Sequence, residues 1–132
     1  MIWFLRLLFV VALASMLGIT SWASWQQSLG DFARSATFRD PWVIATLFDA
    51  YWAFISFYVW IAWKEQSLPA RLLWFVAIIL LGNFAIAAYM LRELSVPSTT
   101  GSLDAVFTRR NPGTLLLPGA LAAIATVVYL IA

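Results

Sequence analysis

Four apolar runs alternate with polar connections along the chain, and their lengths match helices that cross a bilayer, each of which takes about 20 mostly apolar residues. The first run covers 2–22 and is interrupted only by Arg6, close enough to its end for the side chain to snorkel toward headgroups. The second covers 42–63 and opens on Asp40-Pro41-Trp42. Asp40 can cap free amides there, Pro41 suits the first helical position and Trp42 suits an interface. This run stops at Lys64-Glu65, and a short polar connection containing Pro69 leads into the third, 70–91, which ends at Arg92-Glu93. The fourth, 114–132, is barely long enough, and Pro118-Gly119 would shorten or bend it. The pattern predicts an all-α integral membrane protein, a bundle of four transmembrane helices forming one membrane domain over 1–132.

The connections refine this picture. Residues 23–40 are polar, and the apolar run before them exceeds the usual h-region of a signal peptide, which favours a retained anchor. The longest connection, 92–113, is bounded by Pro97 and by Asn111-Pro112-Gly113. Within it Ser102 can cap a short interfacial helix with Leu103, Val106 and Phe107 on its apolar face and Arg109 and Arg110 at its end; an irregular loop is the alternative. Arg109 and Arg110 then form a surface basic pair, either a solvated turn or a contact for anionic lipid or a partner's acidic patch. Trp3, Trp22, Trp25, Trp42, Trp60, Trp63 and Trp74 fall near predicted helix ends, whereas Trp52 falls in mid-membrane. Arg6, Lys64 and Arg71 would share one side, and Arg34, Arg39, Arg92, Arg109 and Arg110 the other. Charge density near helix ends and the first helix favour both termini in the cytoplasm, although the simple count favours the reverse.

Composition narrows the function classes. Of 132 residues, 64% are apolar and 11% charged, and the mean hydropathy is +0.90, so lipid is the expected surroundings. The net charge is only +2 and the basic residues are dispersed, so nucleic acid is not an expected partner. Cysteine and histidine are absent, which removes disulfides, thiol redox chemistry, the commonest general base and the usual haem ligand. No catalytic or phosphate-binding motif is present, and a non-enzymatic protein is expected, with no cofactor beyond a bound lipid or pigment.

Asp49 is the one ionisable residue deep within a run. It lies ~13 Å beyond Asp40 along a helix, and a carboxylate at such depth costs about 2.5 to 3.5 kcal/mol. Asn83 precedes Arg92 by the same interval on the third run, so antiparallel helices would bring Asp49 and Asn83 to one level as an intramembrane polar pair. That pair would be a structural hydrogen bond, part of a proton or ion relay, or a contact for a lipid, quinone or pigment. Ala14 with Gly18 and Gly119 with Ala123 add small-residue marks of helix contact.

The strings Gly18-Ile19-Thr20-Ser21-Trp22-Ala23-Ser24, Asp40-Pro41-Trp42, Ala45-Thr46-Leu47-Phe48-Asp49-Ala50-Tyr51, Trp60-Ile61-Ala62-Trp63-Lys64-Glu65 and Leu81-Gly82-Asn83 carry a resemblance. Over roughly 16–92 the chain resembles the small membrane proteins of plants and bacteria grouped as domain of unknown function fourteen seventy-five. The resemblance implies a membrane protein and marks Asp40, Asp49, Lys64, Glu65 and Asn83 as family-like polar positions without assigning them a role. The leading expectation is an accessory or assembly subunit of a larger membrane complex, with lipids and other membrane subunits as partners. The alternative is a small transporter, channel or carrier of a lipophilic ligand or ion, with Asp49 as its intramembrane contact.

Overall fold

Side-chain caps start four of the α-helices, from Ser28, Asp40, Ser67 and Ser102. In the computed structural model, which describes residues 1–96 and 102–132, the chain is all-helical: α1 (Ile2–Gln26), α2 (Leu29–Arg34), a 3-10 turn (Thr37–Arg39), α3 (Pro41–Lys64), α4 (Leu68–Leu81), α5 (Asn83–Ser95), α6 (Leu103–Thr108) and α7 (Leu116–Ile131). Asp40 accepts from the Trp42 amide at 2.8 Å with Pro41 in the first turn, and Ser67 accepts from the Ala70 amide ahead of Pro69. These contacts satisfy amides that the start of a helix leaves without partners. Among the described residues, α1 and α3 are the two helices long and apolar enough to cross a membrane.

The apolar run 70–91 is not one helix. It breaks at Gly82, and α5 turns back along α4, as ring packing shows: Trp74 and Tyr89 lie 4.8 Å apart between centroids, whereas fifteen residues of straight helix would separate them by ~22 Å. Gly82 makes the reversal with φ +53 and ψ −122, and a Cβ there would meet the Phe54 ring at 2.7 Å. Only glycine takes that backbone and that space readily. A four-helix bundle with a continuous third span is thereby corrected to a bundle in which a short helical hairpin occupies the third place.

A reversal inside an apolar bundle strands the carbonyls that end α4, and the chain answers three of them. The Gly82 amide donates to the Ile78 carbonyl at 2.8 Å, the Tyr51 hydroxyl to that of Ile79 at 3.2 Å and the Tyr129 hydroxyl to that of Leu80 at 2.8 Å. Two tyrosines from α3 and α7 thus cap the tip of the hairpin.

The neighbours of the hairpin set the architecture. α1 lies antiparallel to α5: Arg6 donates to the Leu94 carbonyl at 2.6 Å, and Phe9, Ala12, Ser15 and Met16 share a groove of about 190 Å³ with Asn83, Ile86 and Ala87. α7 runs beside α4, starting near Ser67 and reaching Leu80. Around Ile61, Trp74, Ala77, Ile78, Ala85 and Tyr89 these helices build the core. Met1 therefore lies at the end that holds Leu94, while the Ala132 carbonyl sits 3.1 Å from the position a Cβ on Gly30 would take, at the other end. Both termini were expected on one side; the reversal at Gly82 places them at opposite ends.

Candidate functional site

The end of the bundle where α3 stops, α4 starts and α5 stops collects charges that the sequence scatters over almost fifty positions. Lys64 and Glu65 leave α3, Arg92 and Glu93 close α5, and the segment after α6 supplies Arg109 and Asn111. That segment is held by main-chain pairing, with the Asn111 amide donating to the Lys64 carbonyl at 2.8 Å and the Gln66 amide to the Asn111 carbonyl at 3.0 Å. Gly113, at φ +96, passes so close to Ser67 that no side chain would fit.

Within this joint, Lys64 is completely buried and uses all three donors, on the Val106 carbonyl at 2.6 Å, the Arg109 carbonyl at 2.7 Å and the Glu93 carboxylate at 2.9 Å. Glu93, equally buried, also accepts from Arg92, Arg109 and Asn111 at 2.9 to 3.1 Å. Glu65 accepts on one oxygen from Arg92 at 2.6 Å, Asn111 at 2.8 Å and the Tyr89 hydroxyl at 3.0 Å. Trp60 and Trp74 wall the cluster, with Lys64 over one ring and Arg92 over the other.

Three cations thus face two carboxylates where little water reaches. Burial alone would raise the Glu93 carboxyl, but the bond to Lys64, the charges of Lys64 and Arg92 and the bond from Asn111 outweigh it and hold Glu93 below the usual carboxylate range. Glu65 Oε2, Asn111 Oδ1, Trp74 Nε1, Arg92 Nη1 and Arg109 Nε have no hydrogen-bond partner among the described residues. Lys64 spends all three donors and Glu93 accepts on both oxygens, so what these two do is clamp the 103–111 segment onto three helix ends.

The pair expected at mid-depth is not brought together. Asp49 and Asn83 are both exposed, and no hydrogen bond joins them among the described residues. The packed side of α3 carries Val43, Ala50, Phe54, Phe57, Tyr58, Ile61 and Lys64, while Asp49 shares the outward side with Ala45, Trp52, Ala53 and Ser56. Asn83 sits at the hairpin tip against α1. The one-level expectation fails because the third run reverses at Gly82, about one and a half helical turns short of the depth of Asp49.

Arg109 and Arg110 part company as well. Arg109 turns inward to Glu93 at 2.9 Å, so it does not belong to a surface basic pair; Arg110 stays outside over the Trp63 ring at 4.9 Å. The short helix capped by Ser102 is present as α6, but its Val106 is fully buried against protein and Phe107 meets Trp60, so its apolar face covers the bundle end. Pro97, the expected boundary of that connection, lies outside the described residues. Trp74, read as an interfacial anchor, is a core residue.

Sequence reasoning read Lys64-Glu65 and Arg92-Glu93 only as the ends of apolar runs and Asn111 only as part of a chain breaker, and it passed over Tyr89. A usable signal was the repeat of an adjacent cation and carboxylate at both ends of what proves to be a hairpin. Comparison with curated proteins and with solved structures gives no match. A family comparison does, over residues 2–115, which takes in α1 to α6 and every member of the buried cluster and stops before α7. That match covers most of the chain and extends the resemblance past Glu93 to Arg109 and Asn111, so the chain belongs to the family described as Protein of unknown function (DUF1475).

Proposed function

We propose that this protein is a small multi-pass membrane subunit that acts by association, as an accessory or assembly component of a larger membrane complex. The observation that carries the reading is the bare half of the bundle. On α1 the half-buried positions Ile2, Leu5, Arg6, Phe9, Ala12, Leu13 and Met16 recur at helical spacing and then stop; every residue from Leu17 to Gln26 is exposed. α3 mirrors this, since from Pro41 to Asp49 only Val43 is partly covered. Apolar helix surface of this extent calls for lipid or a partner's helices.

In the membrane arrangement this reading adopts, α1 and α3 cross, the chain through α7 reaches beside them from Ser67 to Gly30, and the α4–α5 hairpin enters and leaves by one face. α4 is 14 residues long, ~21 Å, too short for a core about 30 Å thick. The reversal also removes the conflict in the charge pattern. Arg6, Lys64, Arg71, Arg92, Arg109 and Arg110 gather at one end, leaving Arg34 and Arg39 at the other. The bias of basic residues toward the cytoplasm then orients the buried cluster and Met1 inward and the 27–40 connection outward.

The rival, a carrier of a lipophilic molecule, draws on an outward groove of about 340 Å³ lined by Leu47, Phe48, Tyr51, Trp52 and Ile55. Native mass spectrometry of the chain ejected from gently solubilised membranes separates the two. A defined heteromeric complex is expected. A lone chain or homo-oligomer carrying a stoichiometric small lipophile would overturn the subunit reading in favour of the carrier.

A further inference from the structure

Asp49 is a carboxylate in the middle of a long apolar helix, on the side its own chain leaves bare. Among the described residues it has neither a hydrogen bond nor an ion pair. Its stem is too short to snorkel across the ~13 Å that separate it from the Asp40 level. Facing hydrocarbon it would carry an insertion cost of about 2.5 to 3.5 kcal/mol with nothing inside the molecule to offset it.

Two further observations bear on the stretch of the bundle beyond the hairpin tip. The hairpin tip ends beside Phe54, and from Pro41 to Asp49 only Val43 is partly covered, so the outward side of α3 around Asp49 has no neighbour among the described residues. On α1, a Cβ on Gly18 would meet nothing within 4 Å, whereas on α7 a Cβ on Gly119 would touch Leu73 at 3.9 Å. Of the two small-residue marks, the one around Gly119 is used inside the bundle. The one around Ala14 and Gly18 remains open for a helix from outside, where small residues allow close backbone approach.

We propose that the bare outward side of α3 around Asp49 receives a transmembrane helix of another protein, and that this helix presents a lysine or arginine to Asp49. A second copy of this chain does not meet the requirement, because all of its Lys and Arg residues lie at the two ends of the bundle and none at the depth of Asp49. The inference rests on the membrane-subunit reading and adds to it the chemistry of the partner: a cation buried at mid-span, neutralised on docking.

The test uses the intact chain in phosphatidylcholine vesicles with synthetic leucine-rich transmembrane peptides bearing Lys, Gln or Leu at the centre. Association is read as energy transfer from a dye on Ser24→Cys, the only thiol in the variant. The Lys peptide should bind roughly five- to thirty-fold more tightly than the Leu peptide, the range polar contacts between model membrane helices give. Asp49→Leu and Asp49→Asn should both remove that preference. Equal binding of Lys and Leu peptides, or a Lys preference that survives Asp49→Leu, would overturn the pairing; a Gln peptide that binds as well as the Lys peptide would overturn its ionic character. A spin label on Ala53→Cys separates this failure from that of the underlying reading. Lipid contact there with no peptide preference removes only the partner's cation, whereas water contact removes the membrane placement itself.

Discussion

The bundle's two halves solve opposite problems. Toward Lys64, helices α1, α3, α4, α5 and α7 pack together and a buried charge cluster ties their ends to the 103–111 segment. Toward Asp40, two long helices stand almost bare, joined by a short connection, with Asp49 exposed within the apolar run of α3. In the first half charges are buried and answer one another. In the second, Asp49 is exposed and has neither a hydrogen bond nor an ion pair among the described residues. Polar residues in an apolar protein therefore divide by whether the chain supplies their partners.

The comparison breaks most sharply if charges in the two halves are removed one at a time. Glu93→Leu strands Lys64, Arg92 and Arg109 in the clamp and should destabilise the protein by about 3 to 5 kcal/mol, read from reversible unfolding in mixed detergent. Asp49→Leu in the same isolated protein should leave that stability unchanged or higher. A large loss at both positions would erase the distinction between the halves.

Smaller changes sharpen the boundary between them. Gly82→Ala forces a side chain into a positive-φ position against the Phe54 ring and should cost about 1 to 3 kcal/mol, with loss of the Trp74–Tyr89 contact in near-ultraviolet dichroism. Tyr51→Phe and Tyr129→Phe each free one carbonyl at the hairpin tip and should cost about 1 kcal/mol. Because they serve neighbouring carbonyls, a double variant that loses less than the sum would show that the tip relaxes as a unit. The mildest handle is pH. Glu93 titrates below its unfolded range of about 4.3, so its contribution is present above that value and is lost as pH falls through the lower folded value. The midpoint of unfolding should drop on acidification below about pH 4, and less so in Glu93→Gln.

Much of the bare half was legible in the sequence, and little of the clamped half. Asp40-Pro41 starts α3 and the first apolar run is one helix, because caps and apolar stretches act locally, and in the clamped half Ser102 caps α6 for the same reason. Residues 70–91 misled for a physical reason: an unbroken apolar run suits one long helix or two short ones buried against each other, and hydropathy does not distinguish them. Gly82 alone carries the signal, and glycine is common inside membrane helices. Once that run is taken as one span, Arg92 and Glu93 move to the wrong end, the charge cluster dissolves into separate helix ends, and Asp49 acquires a false partner in Asn83. A single reversal accounts for all three errors, and also for the ambiguous orientation.

The central claim is therefore the reversal at Gly82, and the absence of cysteine makes it directly measurable. Single cysteines at Gln66, Asp104 and Asp31 can be probed in sealed, oriented vesicles with a thiol reagent that does not cross the bilayer. The account predicts that Gln66→Cys and Asp104→Cys are labelled from the same side and Asp31→Cys only from the opposite one. If Gln66→Cys and Asp104→Cys are labelled from opposite sides, residues 68–95 cross the membrane as one span, and the hairpin, the clamp and the orientation proposed for this protein all fall with it.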